Sequence, residues 1–196
     1  MSNRFTRSRH AFFKRAPVVG FILMSAACTR SIGPYTTPTE AARDSLKAQK
    51  LTQEAAKETD PARAEKLLRE ALTADVFHGP AHNNLGVVFL KQNRLYEAAQ
   101  EFEWAQKTLP GHPDPRMNLA LTLERAGRTD QALNAYASAL EVYADHIPTM
   151  QAMTRLRLKS GKADDKTRSM LEEIAYKGEN ELWRNWARAQ ITRFQH

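Results

Sequence analysis

The chain has 196 residues, of which 42% are hydrophobic and 26% are charged, as in a globular protein of one domain with room for a targeting segment. Eight Gly and nine Pro are too few for a disordered or low-complexity chain. The formal charge of +7 suggests nucleic-acid binding, but residues 1–27 hold five basic residues and no acid. Residues 28–196 then hold 24 basic (29 minus 5) against 22 acidic residues, and this near-neutrality disfavours a nucleic-acid partner.

Residues 1–27 have the order of an export signal. A basic stretch, RFTRSRHAFFKR, precedes the apolar run APVVGFILMSAA, which is too short to cross a bilayer as a helix. The residues SAAC, ending at Cys28, resemble the lipobox of a bacterial lipoprotein signal, which implies lipid attachment at Cys28 and a membrane anchor. Thr29 after the cysteine resembles the sorting signal for the outer membrane, facing the periplasm. An ordinary signal-peptidase site fits the same residues and would leave a soluble periplasmic protein.

Cys28 is the only cysteine, which excludes an intramolecular disulfide and a metal site built from several cysteines. The segment that follows, TRSIGPYTTPTE, is rich in Pro, Gly and Thr and is typical of a flexible tether. We therefore expect a lipid-attachment residue and tether over 28–40, before a long helical pattern begins.

A period of 34 residues organises the middle of the chain. Leu85-Gly86-x-x-Phe89 recurs as Leu119-Ala120-x-x-Leu123. The small and large residues of the following segment recur with the same shift, and also one period earlier: Ala98, Phe102 and Ala105; Ala132, Tyr136 and Ala139; Ala64, Leu68 and Ala71. This pattern, closed by Pro110, resembles the tetratricopeptide repeat (TPR), although His82 stands where that repeat usually has Trp.

The resemblance implies an all-α fold, a TPR-type right-handed superhelix of antiparallel helix pairs. We expect a repeat domain over 41–178 with about three repeats and a degenerate fourth, at 45–78, 79–112, 113–146 and 147–177. In the last unit, core positions are taken by Arg157, Lys166 and Glu173. Because no unit can bury its apolar face alone, the units stack and their first helices line a concave face.

Small residues explain how such helices pack. We predict helices at 80–92, 95–108, 114–126 and 129–143, with axes about 8–10 Å apart where Gly86 and the repeated alanines remove bulk. The large side chains of the repeat are expected to fill the spaces between adjacent pairs: Phe89, Phe102, Leu123 and Tyr136. Asn93, Gly127 and Gly161 are expected to end helices in the left-handed conformation. Asp60 followed by Pro61 predicts another helix start.

Residues 179–196 form a further amphipathic pattern, with Trp183, Trp186, Ala187, Gln190, Ile191 and Phe194 near one face. A capping helix over the last repeat explains it, since such arrays need a cover. A partner or dimer surface explains it as well, because two exposed tryptophans are strong anchors.

No residue pattern indicates catalysis. His78, His112 and His146 recur every 34 residues, but equivalent positions about 10 Å apart cannot share a zinc ion, whose bonds to nitrogen are about 2 Å long. The chain has no nucleophile elbow, phosphate-binding glycine loop or Cys–His pairing. The sequence therefore predicts a protein that is not an enzyme and has no catalytic residue, metal or cofactor.

The predicted concave face carries the candidate binding residues. Basic residues recur every 34 positions near the ends of the first helices: Lys57, Lys91, Arg125 and Lys159. The amides and the remaining cation of the predicted partner-binding groove lie nearby: Asn83, Asn84, Asn118, Gln151 and Arg155. Basic residues late in a helix also suit its dipole. As a binding site, the amides would pair with the backbone of a protein or peptide partner and the cations with its acidic groups.

The sequence thus predicts a membrane-anchored TPR scaffold of the bacterial cell envelope that mediates protein–protein interactions in pilus, secretion or cell-wall assembly. Two alternatives stay open, a self-associating structural protein of the envelope and an accessory subunit of a glycan-handling complex. The identity of the partner and the oligomeric state are not set by the sequence.

Overall fold

A computed structural model describes residues 43–193 of the chain. These residues form nine α-helices and no strand, and they lie within one compact unit. The helices are α1 Ser45–Lys57, α2 Pro61–Ala74, α3 Gly79–Lys91, α4 Leu95–Thr108, α5 Asp114–Arg125, α6 Thr129–Val142, α7 Ile147–Lys159, α8 Asp165–Lys177 and α9 Glu181–Arg193. The predicted all-α fold is confirmed for the described residues.

The helices pack in chain order as four hairpins, α1/α2, α3/α4, α5/α6 and α7/α8, with α9 against α8. The bounds of α3 to α6 agree with the four predicted helices to within one residue. The residues that flank the helices have the expected conformations and caps. Asn93, Gly127 and Gly161 have φ values of 60°, 75° and 67°, and the Asp60 carboxylate accepts a hydrogen bond of 3.1 Å from the Ala62 amide.

Gly86 sets the approach of α3 to α4. A Cβ atom at this position would lie 2.6 Å from Cε1 of the Phe102 ring, so the ring occupies the space that a side chain would need. Phe102 therefore packs inside its own hairpin, a contact that the sequence pattern did not predict. Phe89 does reach the preceding hairpin, since the Arg69 guanidinium of α2 lies 5.6 Å from its ring centroid. The repeated alanines of the hairpins are fully buried: Ala98, Ala105, Ala120, Ala132 and Ala139.

His82, at the position usually held by Trp, is buried in the α3/α4 hairpin. Its Nδ1 lies 2.6 Å from Oε2 of Glu101 and its Nε2 lies 2.8 Å from the Val76 carbonyl oxygen. The ring stacks on Trp104 with centroids 5.7 Å apart. The buried imidazole thus makes two polar contacts, one to α4 and one to the loop before α3.

The degenerate fourth unit still forms a hairpin because the charged residues at its expected core positions either have polar partners or contact solvent. Arg157 donates to Oδ1 of Asp164 at 2.5 Å and to Oγ1 of Thr167 at 3.3 Å. Asp164 and Thr167 also form a capping box at the start of α8. Lys166 is exposed and Glu173 is half-buried.

Helix α9 covers the end of this hairpin. Ala187 is fully buried, and Trp183 and Trp186 are half-buried with a T-shaped contact whose centroids are 5.2 Å apart. They pack against a core cluster that includes Met150, Leu171 and Ile174.

Replacing Gly86 with Ala tests the close approach in the α3/α4 hairpin. We expect Gly86→Ala to lower the free energy of unfolding by about 1–3 kcal/mol, because the added methyl group displaces the Phe102 ring from a packed core. Denaturant unfolding followed by circular dichroism measures the change. Gly111→Ala is the control, since no heavy atom lies within 4 Å of a Cβ at that position. Equal stabilities of the two variants would contradict the packing account.

Candidate protein-binding groove

The odd-numbered helices form one face of the described chain. Helix α1 contacts α3 and α3 contacts α5, whereas no two even-numbered helices among residues 43–193 make a comparable contact. Further along, side chains of α5, α7 and α9 line a common cavity. The odd-numbered helices therefore lie on the inner side of the stack, and we call their shared surface the groove.

Three predicted groove residues connect neighbouring repeats. Nδ2 of Asn118 on α5 donates to Oδ1 of Asn83 on α3 at 3.0 Å. Nη1 of Arg125 donates to the Leu90 carbonyl oxygen at 3.0 Å and so pairs a carbonyl in the last turn of α3. These contacts join consecutive repeats, and the side chains that make them are already engaged within the chain.

Arg155 belongs to a polar network between α5, α6 and α7. Its Nη2 donates to Oε1 of Glu124 at 2.9 Å, and the Tyr136 hydroxyl donates to Oε2 of Glu124 at 3.1 Å. Burial, together with the neighbouring Glu124 carboxylate, raises the pKa of Tyr136 well above its ordinary value, so the hydroxyl stays protonated and donates. The network neutralises the charge of Arg155 at the groove.

Three other predicted groove residues make no such contact. Among residues 43–193, Asn84, Lys91 and Lys159 have no hydrogen-bonding or ion-pairing partner for their side chains. Lys57 likewise has no ion pair within that range. Lys57, Lys91 and Lys159 are exposed, and Asn84 is half-buried. These four side chains are therefore available to a ligand.

A first cavity, the N-terminal cavity, lies between α1, α2 and α3 and has a volume of about 330 Å³. The repeat pattern explains its existence. Ala55 and Leu68 line it at the positions where the next repeat has Phe89 and Phe102, so side-chain volume is missing from the first repeat. Asn84 and Lys91 also line this cavity. Its other lining residues are Ala56, Glu58, Thr59, Pro61, Ala64, Val87 and Val88.

A second cavity, the C-terminal cavity, has a volume of about 400 Å³. It is lined by Met117, Leu121, Tyr136, Pro148, Gln151, Ala152, Arg155 and Trp183. Ala152 occupies the repeat position that holds Asn84 and Asn118 in the two preceding repeats. Its small side chain ends this series of amides and leaves space for the cavity. Gln151 is only 4% exposed, and its Nε2 atom is buried without a hydrogen-bond partner.

The histidines of the loops face an acidic residue. Nδ1 of His112 lies 3.5 Å from Oδ2 of Asp114, and Nε2 of His146 lies 3.4 Å from Oδ1 of the same carboxylate. His78 and His146 directly precede α3 and α7. No cluster of three or more His, Cys, Asp or Glu within 43–193 has the geometry to hold a metal ion.

Predicted features at both ends of the chain fall outside the part that the structure describes. Cys28, the signal segment and the tether lie outside the described residues, as does Phe194. Within the part of the chain that the structure describes, no helix combines the length and apolar character needed to cross a membrane.

Comparisons with known proteins identify proteins that resemble this architecture. Residues 50–113 match the model of the tetratricopeptide repeat family. The described chain has the TPR fold. Among solved structures, pilF of Pseudomonas aeruginosa is similar with 21% identity and a TM-score of 0.63, over 72% of this chain and 64% of that protein. A search of curated proteins gives no match.

Two further solved structures resemble the chain. MamA of Desulfovibrio magneticus has 16% identity and a TM-score of 0.55, over 76% of this chain and 77% of the other. The first TPR of Spaghetti (RPAP3), solved bound to the HSP90 peptide SRMEEVD, has 13% identity and a TM-score of 0.58, over 61% of this chain and 98% of the other. At these identities the likeness establishes the fold alone.

The apolar residues of the groove were not among the binding residues predicted from the sequence. Leu121 and Met117 line the C-terminal cavity, and Met117 stands where the adjacent repeats have the polar residues Asn83 and Gln151. Trp183 was assigned to a cap or a partner surface, and it lies both against the core cluster and in the cavity wall. An apolar residue at a polar groove position was the available signal.

Arg125 and Lys91 occupy equivalent repeat positions, yet the structure assigns them different roles. We expect Arg125→Ala to lower the free energy of unfolding by about 1 kcal/mol, because it removes the hydrogen bond to the Leu90 carbonyl. Lys91→Ala should change it by less than about 0.5 kcal/mol, as for other surface positions. Urea unfolding of both variants measures the difference, and the reverse order would contradict the assignment.

Proposed function

We propose that the protein is a non-catalytic TPR scaffold whose groove binds a segment of a partner protein. One observation carries this proposal: the groove combines two cavities with polar side chains, Asn84, Lys91 and Gln151, that have no partner among the described residues. The similar first TPR of Spaghetti is bound to a peptide with acidic residues, which supports peptide binding by this chain. Unpaired ammonium groups favour a partner with acidic side chains or a terminal carboxylate.

We further propose that the scaffold works in the bacterial cell envelope. The order of residues 1–28 supports export and lipid attachment at Cys28, which would anchor the chain in the outer membrane on its periplasmic side. The tether over 28–40 would hold the repeats away from the bilayer. Pilus, secretion and cell-wall assembly are the processes in which such an anchored scaffold would bring proteins together.

Self-association is a second candidate, supported by one observation. Leu182 on α9 and Tyr176 on α8 are more than 80% exposed, which leaves large apolar side chains uncovered at the C-terminal end of the stack. A structural protein of the envelope could use this end to contact a second copy.

Charge reversal in the groove tests the scaffold function. We expect Lys91→Glu combined with Lys159→Glu to reduce the amount of the main partner recovered by crosslinking and affinity purification from the native envelope at least fivefold. The reason is that repulsion replaces attraction for an acidic segment. Quantitative mass spectrometry against the wild-type chain measures the change. Arg125 is left intact because it supports the fold.

The control changes the charge by the same amount on even-numbered helices. Lys66 on α2 and Lys107 on α4 are exposed, and both become Glu in the control variant. The control should recover the partner at the wild-type level. Partner recovery that survives reversal in the groove, or falls equally in both variants, would contradict binding through this face.

A further inference from the structure

We propose that the groove recognises an extended partner segment with two features, a bulky apolar side chain that enters the C-terminal cavity and an acidic side chain that faces Lys91. This inference rests on the proposed function, because it specifies the chemistry of the partner that the groove binds. It also assigns α9 a role in binding in addition to its contact with the core.

The lining of the C-terminal cavity selects an apolar side chain. Met117, Leu121 and Pro148 supply apolar walls, and Trp183 of α9 supplies an aromatic one. Methionine side chains adapt to the shape of a bound group, and tryptophan side chains anchor it. The cation at this cavity, Arg155, is already paired with Glu124 at 2.9 Å, so no unpaired charge there favours an acidic group.

Gln151 indicates how the backbone of the partner is held. The residue is 4% exposed, it lines the cavity, and its buried amide nitrogen has no hydrogen-bond partner. A buried donor without an acceptor destabilises the free protein. Rotation of the Gln151 side chain toward the cavity would let a backbone carbonyl of an extended segment supply the missing acceptor, while the neighbouring side chain fills the apolar space.

The N-terminal half of the groove has the opposite character. Lys91 lines the N-terminal cavity, and neither it nor Lys57 has an ion pair among residues 43–193. Helices α3 and α7 are two repeats apart, which corresponds to about 20 Å at 8–10 Å per packed helix. An extended chain covers that distance in about six residues. The acidic and apolar side chains of the partner should therefore be about six residues apart.

The test uses a displayed library of random twelve-residue peptides, selected on the full chain. We expect the selected peptides to share a large apolar residue and an Asp or Glu about six positions apart. A synthetic peptide of the selected sequence is then titrated by calorimetry. Gln151→Met should weaken its binding at least tenfold while raising the melting temperature of the free chain, because the unpaired amide is removed.

Gln106 provides a matched control on α4. Its Nε2 atom is also buried without a partner, but it lies beside Glu103, Lys107 and Arg116 and lines neither groove cavity. Gln106→Met makes the same chemical change and should leave the affinity for the peptide at the wild-type value. Comparable losses of affinity in the two variants would overturn the role of Gln151.

The outcomes separate this inference from the scaffold function. Binding that depends on Lys91 but is unchanged in Gln151→Met and Trp183→Ala would overturn the apolar recognition and leave the groove as the binding face. Selected peptides that depend on none of these residues would overturn both proposals. A dimer of the chain that dissociates on dilution and is lost in Gln151→Met would show that a second copy occupies the groove. That result would overturn the proposal that a segment of a partner protein binds there.

Discussion

The contact between Gly86 and the Phe102 ring is the constraint on which the α3/α4 hairpin depends. The ring lies where a side chain on α3 would otherwise project, so the two helices pack closely. Fully buried alanines, such as Ala120 and Ala139, provide equally small contacts in the next hairpin. Because a single hairpin leaves one apolar face open, close packing within hairpins leads to stacking between them, and stacking creates the groove on the odd-numbered helices.

The groove divides its polar residues between two tasks. Asn83, Asn118 and Arg125 bond neighbouring repeats to each other, whereas Lys91 and Gln151 remain without partners among the described residues. Its cavities arise where the repeat pattern is broken by a smaller residue, as at Ala55 and Ala152. Departures from the repeat are thus the places where this chain has acquired its own recognition chemistry.

The fold could be predicted from the sequence because the small and large residues of the repeat recur at a fixed spacing. Helix bounds and the left-handed residues Asn93, Gly127 and Gly161 followed from it. The positions of individual side chains did not follow, since the period cannot tell whether Phe102 fills its own hairpin or the next space. Nor can it tell that Arg125 bonds a carbonyl while Lys91, at the equivalent position, does not. Such choices depend on contacts between repeats, which differ from one repeat to the next.

Site-specific photo-crosslinking tests the central claim most directly, namely that the odd-numbered helices form the binding face. A benzoylphenylalanine at Ala152 of α7 lies in the groove, and one at Ser138 of α6, also half-buried, does not line either groove cavity. After irradiation of the native envelope, the account predicts a partner adduct from Ala152 and none from Ser138. Adducts from Ser138 alone, or equally from both positions, would contradict it.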